Sequence, residues 1–119
     1  MTVSMITGYA ASAKGMPLES FEYPAPELGE NEVRVAVSHC GVCHTELDEI
    51  EGRTSPRQLP VVLGHQVVGR VEATGSKVST LKTGDRVGVA WIFSACGTCK
   101  FCLAGNENLC ASFEATGRD

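Results

Sequence analysis

Apolar and polar residues alternate most clearly from Glu32 to Val37, with Val33, Val35 and Val37 on one side and Glu32, Arg34 and Ala36 on the other. A period of two residues predicts a half-buried strand there. Shorter runs at Val3 to Thr7 and Leu18 to Tyr23 predict two earlier strands, separated by a loop carrying Lys14 and Gly15. Pro24 and Pro26 break the pattern, and Leu28, Gly29, Glu30 and Asn31 read as a turn. Glu46 to Ile50 is long enough for a helical turn or two, whereas Gly52 to Pro60, broken by Pro56 and Pro60, reads as a polar surface loop. Val61 to Thr74 is a second β run, interrupted at Gly64 and Gly69 where backbone crowding or a bulge accounts for glycine. Gly75, Ser76 and Lys77 make another turn. Arg86 to Phe93 is nearly continuous in apolar residues, which predicts a strand buried on both faces.

Composition narrows the class. At 119 residues the chain suffices for one domain with a modest core. Aromatic residues at 6%, 13 glycines and 43% hydrophobic residues suit a valine-rich, turn-rich β domain. Ten basic residues against 14 acidic ones give a net charge of -4, and the basic residues are scattered, so nucleic acid is excluded as a partner on electrostatic grounds. No apolar run approaches the roughly 18 residues needed to cross a bilayer. Met1 to Ser12 are small and mixed rather than a basic stretch followed by an apolar one, unlike a secretory signal. A soluble, cytoplasmic protein without a membrane partner is expected. There is no internal repeat or low-complexity segment.

Six cysteines change the picture. Cys96, Cys99, Cys102 and Cys110 read C-x2-C-x2-C-x7-C, the pattern of a tetrathiolate metal site. Zinc is the best occupant, because a d10 ion accepts tetrahedral coordination by soft thiolates and two-residue gaps let a tight turn deliver neighbouring sulfurs to one ion. A disulfide framework belongs to secreted domains. Iron-sulfur ligation of the ferredoxin kind shares the first two gaps, but the last gap is longer here and no Pro follows Cys110. The lobe from 94 to 112 has little apolar content, and a structural metal supplies on the order of 10 kcal/mol that such a lobe cannot draw from a core.

A second set of ligand-type residues lies between the strands: Cys43 with His44 behind it, and His65 followed by Gln66. A thiolate and an imidazole from distant segments are ingredients of a catalytic zinc that keeps a position open for water or substrate. Two ligands are too few, so a third comes from elsewhere. Taken singly, Cys43 reads as a small buried hydrophobe and His65 as a donor to a backbone carbonyl. His39 and Cys40 carry only such structural readings. Cys40 and Cys43 form another C-x2-C, but a redox role wants a thioredoxin-like βα context that is missing.

Four segments, CGVCHTELD (Cys40 to Asp48), GHQVVG (Gly64 to Gly69), GDRV (Gly84 to Val87) and CGTCKFCLAGNENLC (Cys96 to Cys110), occur in order along the chain. Together they resemble the amino-terminal part of a zinc-dependent alcohol dehydrogenase of the medium-chain dehydrogenase/reductase family. The resemblance implies a mainly β, GroES-like partly open barrel with a cysteine-rich zinc lobe, over residues 1-119, as an incomplete catalytic domain lacking its last strands. It also implies that Cys43 and His65 hold the catalytic zinc, that Cys96, Cys99, Cys102 and Cys110 hold the structural zinc, and that Thr45 takes the alcohol proton into a relay. His44 matches a position facing the pyrophosphate of NAD or NADP, and Trp91 a bulky residue that narrows the pocket toward small or primary alcohols. The chemistry implied is hydride transfer between an alcohol or aldehyde and NAD(P), with zinc as Lewis acid.

Three positions depart from the family. Gln66 replaces a Glu, removing a charge near the metal; Glu46 replaces an Asp that supports the ligand His, with a longer reach. Asp48 stands where many members end the proton relay with a His, and has a lower ordinary pKa. No Gly-rich strand-turn-helix fingerprint is present, so the Rossmann domain and the third ligand to the catalytic zinc are absent and the chain alone is expected to bind zinc without turnover. A free-standing zinc-binding or scaffold module, pairing into a homo-oligomer through open strand edges, is the alternative. A rubredoxin-like electron carrier is a third reading of the quartet.

Overall fold

The computed structural model describes residues 4–53 and 59–117. Strands β1 (Met5–Ala11) and β2 (Glu19–Pro24) form a hairpin, and β3 (Val33–Cys40) leads into the short helix α1 (His44–Ile50). There follow β4 (Val61–Val62), β5 (Val67–Thr74), β6 (Arg86–Val89) and β7 (Ile92–Ser94), then helix α2 (Lys100–Leu103), a 3-10 turn (Glu107–Leu109) and β8 (Glu114–Ala115). They make two three-stranded antiparallel sheets, ordered β2-β1-β4 and β3-β5-β6, and a two-stranded ribbon β7-β8. The sheets do not close on one another, so the fold is mainly β and partly open, as the resemblance implies.

Two apolar runs that look continuous in the sequence change sheets midway. In the first, β4 pairs with β1 while β5 pairs with β3, and Leu63 to Gln66 cross between the sheets. Gly64 makes this crossing possible: its φ is +123°, and a Cβ there would lie 2.4 Å from the Cys40 sulfur. In the second run, β6 pairs with β5 and β7 with β8, with Ala90 and Trp91 between them. Burial alternates along β6, and Phe93 is 64% exposed. Arg86 to Phe93 is therefore not a strand buried on both faces: among the described residues β6 is an edge with only β5 beside it.

Strand β3 departs from simple alternation for a related reason. Register shifts at Arg34/Val35 and Val37/His39 rotate its side chains, so Val37 is exposed although Val33 and Val35 are half-buried. The early strand expected from Val3 begins at Met5 and runs on to Ala11, and Val3 lies outside the described residues. Of the expected loop from Gly52 to Pro60, Thr54 to Gln58 also lie outside them.

Among the described residues the buried apolar ones are small, Ala10, Ala11, Val71, Cys110 and Ala115. The Cα radius of gyration is 15.7 Å and the shortest extent 23 Å. A closely packed domain of this length has a radius of about 13.5 Å, so the layers are spread rather than stacked into one thick core. Among the described residues no helix is long and apolar enough to cross a membrane.

Candidate functional site

Helix α1 starts at Cys43, whose extended backbone (φ -126°, ψ -178°) turns its amide toward the first helical turn. Glu46, three residues on, reaches back: its Oε2 accepts from the Cys43 amide at 2.7 Å. The other oxygen, Oε1, lies 2.7 Å from Nδ1 of His65, which the crossing between β4 and β5 brings over α1. Both side chains are buried, Glu46 at 6% and His65 at 7% exposure. A carboxylate on Nδ1 fixes the proton there and leaves the Nε2 lone pair free. That atom faces the Cys43 sulfur at 3.3 Å.

Burial is the largest influence on the Glu46 carboxyl and opposes its ionisation, yet the Cys43 amide and thiol and the His65 ring together hold it below the usual 4.5. A thiolate and an imidazole on one tetrahedral zinc would stand about 3.6 Å apart, from Zn–S of about 2.3 Å and Zn–N of about 2.05 Å. The pair is thus close to the spacing that a shared ion requires. Cys43, Glu46 and His65 offer donor atoms within 4.8 Å of one another. Because both Glu46 oxygens are already engaged, its place is behind the imidazole rather than on the ion.

This array borders a small cleft open to solvent. Thr45, Glu46 and Glu49 of α1, Leu63 to His65, Trp91, Thr116 and Gly117 form its walls. Of the residues singled out in the sequence, Thr45, Glu46, His65 and Trp91 meet here and Cys43 joins through His65. Asp48 does not: its carboxylate pairs with Arg53 at 3.2 Å and with Nδ1 of His44 at 3.3 Å, outside the cleft lining. The His44 side chain is 71% exposed. The Gln66 side chain packs over Gly41, where an added Cβ would lie 2.6 Å from its Oε1. Glu49 was missed by the sequence reading, although it follows Thr45 by four residues and a helix places such pairs on one face. Leu63 and Thr116 carry no comparable sequence signal.

The four late cysteines converge in the lobe, their sulfurs within 4.8 Å of one another. Cys99 and Cys102 sulfurs are 3.5 Å apart and those of Cys96 and Cys102 3.9 Å. The edge of a zinc tetrathiolate tetrahedron is about 3.8 Å, from Zn–S of about 2.3 Å. Backbone amides already point at the sulfurs: Cys99 N at Cys96 Sγ (3.3 Å), Cys102 N at Cys99 Sγ (3.5 Å) and Ser112 N at Cys110 Sγ (3.4 Å). Hydrogen bonds from Thr98 and Cys99 bring the Cys96 thiol down to about 6, while desolvation first, and then the neighbouring thiols, push Cys102 up to about 12. Four convergent sulfurs at this spacing are a donor set that fits a metal ion.

These features define a β-rich domain with one closed set of four thiols and one open thiol-imidazole pair beside a cleft, each offering donors that could hold a metal. The chain belongs to the alcohol dehydrogenase GroES-like domain family, which matches residues 29–118. It is 45% identical over 112 residues to the aldehyde reductase AdhA of Synechocystis sp., covering 94% of this chain and 33% of that protein. An alcohol dehydrogenase of Geobacillus stearothermophilus is 46% identical, over 78% of this chain and 28% of its own length. Among solved structures, cinnamyl alcohol dehydrogenase SbCAD4 from Sorghum bicolor superposes with a TM-score of 0.84 at 36% identity, covering 95% of this chain and 32% of that one. The chain spans about a third of the length of the relatives it matches.

Proposed function

We propose that this chain carries the metal-site portion of a zinc-dependent oxidoreductase that passes a hydride between a primary or small alcohol, or the matching aldehyde, and NAD or NADP. By itself it binds zinc without turnover. The observation that carries the reading is the Glu46, His65 and Cys43 array opening on the cleft that Thr45 and Trp91 line. Cys43 and His65 would hold the catalytic zinc, and Cys96, Cys99, Cys102 and Cys110 the structural one. The catalytic zinc supplies Lewis acidity at the substrate oxygen when bound.

The chain's own residues do the rest. Glu46 keeps the Nδ1 proton in place and so presents Nε2 as a donor. The Thr45 hydroxyl would accept a hydrogen bond from the substrate hydroxyl and relay its proton, its own hydroxyl proton passing on to solvent in the open cleft. Trp91 limits the width of the cleft and favours small alcohols. His44, exposed and held by Asp48, faces the cofactor pyrophosphate; Asp48 acts on His44 rather than inside the cleft. The cell compartment expected for this chemistry is the cytoplasm.

Metal analysis of the reduced, folded chain is expected to return about one tightly held zinc per quartet, a stoichiometry set by tetrahedral thiolate ligation. The substitution C102S removes it. Zinc-free folded chain, or cofactor-dependent alcohol oxidation by the chain alone, refutes the reading. Exposed Val37, Phe93 and Leu103 favour a second reading, a zinc-binding scaffold that associates with further copies or subunits. Light scattering after size exclusion separates the two, because a clean monomer leaves the scaffold without an assembly.

A further inference from the structure

The segment after the last cysteine returns from the lobe to the cleft. Cys110 is the most buried of the quartet, at 3% exposure. Its carbonyl accepts from the Phe113 amide at 3.3 Å and its sulfur from the Ser112 amide at 3.4 Å. Strand β8 then pairs with β7, Glu114 opposite Ser94 and Ala115 opposite Ile92, and the Ser94 hydroxyl donates to Glu114 Oε2 at 3.0 Å. Thr116 finishes the connection: its amide donates to the Trp91 carbonyl at 2.8 Å and its hydroxyl to the Ala90 carbonyl at 2.6 Å. The Phe113 ring sits 5.3 Å from the Trp91 ring at 50°, a tilted aromatic pair.

Trp91 is therefore held at its backbone by Thr116 and at its ring by Phe113. Both belong to a segment whose other end is a metal ligand. A ladder as short as β7-β8 has no stability of its own and needs an anchor at each end. We infer that Phe113 is a positioning residue of the cleft, which braces Trp91 and makes the placement of that wall depend on a metal-filled cysteine lobe. Filling the lobe sets the cleft width, and with it the size of alcohol admitted. Only this last consequence rests on the function proposed above; the coupling itself is read without substrate.

Trp91 is the single tryptophan of the chain, so its fluorescence reports this wall alone. Zinc-loaded chain is titrated with a chelator while Trp91 emission, acrylamide quenching and far-ultraviolet circular dichroism are followed. Emission is expected to shift red and the quenching constant to rise about two- to threefold, the ratio of a free ring to one 37% exposed, with the dichroism of the two large sheets retained. C102S without chelator behaves as the stripped chain. F113L shows the raised quenching even when zinc-loaded and no further rise on chelation, while F113Y, which keeps the ring, behaves as wild type.

Trp91 signals that ignore zinc removal overturn the inference. So does F113L quenching equal to that of the zinc-loaded wild type, or a loss of dichroism in step with the fluorescence, which would mean global unfolding. If F113L does not fold, the wild-type and F113Y titrations still decide. Absence of alcohol turnover from a protein containing this chain and a nicotinamide site, with the quenching response intact, sinks the enzyme reading and leaves this coupling standing.

Discussion

Replacing Glu46 by Gln tests the open donor pair at its most sensitive point. The carboxylate answers two buried donors at once, the Cys43 amide and His65 Nδ1, each at 2.7 Å. Glutamine has the same shape but a single acceptor oxygen, so one of the two donors must face an NH2 group. Leaving a buried donor unmatched costs about 1–3 kcal/mol, and urea unfolding of the metal-free chain should show E46Q destabilised by that amount. If the NH2 lands on Nδ1, the ring answers by moving its proton to Nε2, the atom that faces Cys43. Loss of such a supporting contact lowers metal affinity by about 10- to 100-fold, or about 1.4–2.7 kcal/mol. Competition with a chromophoric chelator measures this at the weaker of the two metal sites, while the quartet serves as an internal control. An E46Q chain that unfolds at the wild-type urea concentration and binds zinc with wild-type strength would show that Glu46 does not orient His65.

The same carboxyl sets an acid limit. Its pKa is depressed in the fold below 4.5, so the stability it contributes is complete above that value and disappears as the pH falls through the lower folded value; the gap between wild type and E46Q in unfolding free energy should close there. Gly64→Ala should destabilise by about 1–3 kcal/mol from backbone strain alone. Pairing it with C40A should recover only the part due to the sulfur, as thermal denaturation of the single and double variants will show. C102S should release the lobe zinc, forfeiting on the order of 10 kcal/mol of apparent binding free energy, and limited proteolysis should then cut between 94 and 112.

The quartet was legible in the sequence because most of its geometry is local, whereas His65 was picked out by the resemblance. Cys96, Cys99 and Cys102 need only one turn and the start of α2 to meet, and the two-residue gaps announce that turn. Cys43 and Glu46 are likewise three residues apart, within one helical turn. What escaped was decided by pairing between distant strands. Leu63 to Gln66 and Ala90 to Trp91 lie inside apolar runs, and nothing local says that the chain leaves one sheet there and enters another. The exposed positions Val37 and Phe93 follow from register shifts and an open edge, which alternation alone does not encode. The ion pairs of Asp48 with Arg53 and His44 likewise have no signal in the sequence, because only the folded chain supplies these partners.

The two donor sets also differ in what holds them when no ion is bound. Within the lobe, backbone amides of neighbouring residues aim at the sulfurs, so the closed set is assembled by a short stretch of chain. Cys43 and His65 stand 22 residues apart and meet only because β3, α1 and the β4-β5 crossing are already in place. Among the described residues no third donor is free to complete that set, since Glu46 has spent both oxygens. A tetrahedral ion there would keep half of its coordination for solvent or substrate and leave quickly, whereas one in the quartet must break four thiolate bonds to leave. A mild chelator should therefore empty the open pair first and leave the tetrathiolate filled. The order of zinc release, followed with a chromophoric chelator, tests this directly: simultaneous loss from both sites would mean that the quartet is not a closed tetrahedral shell.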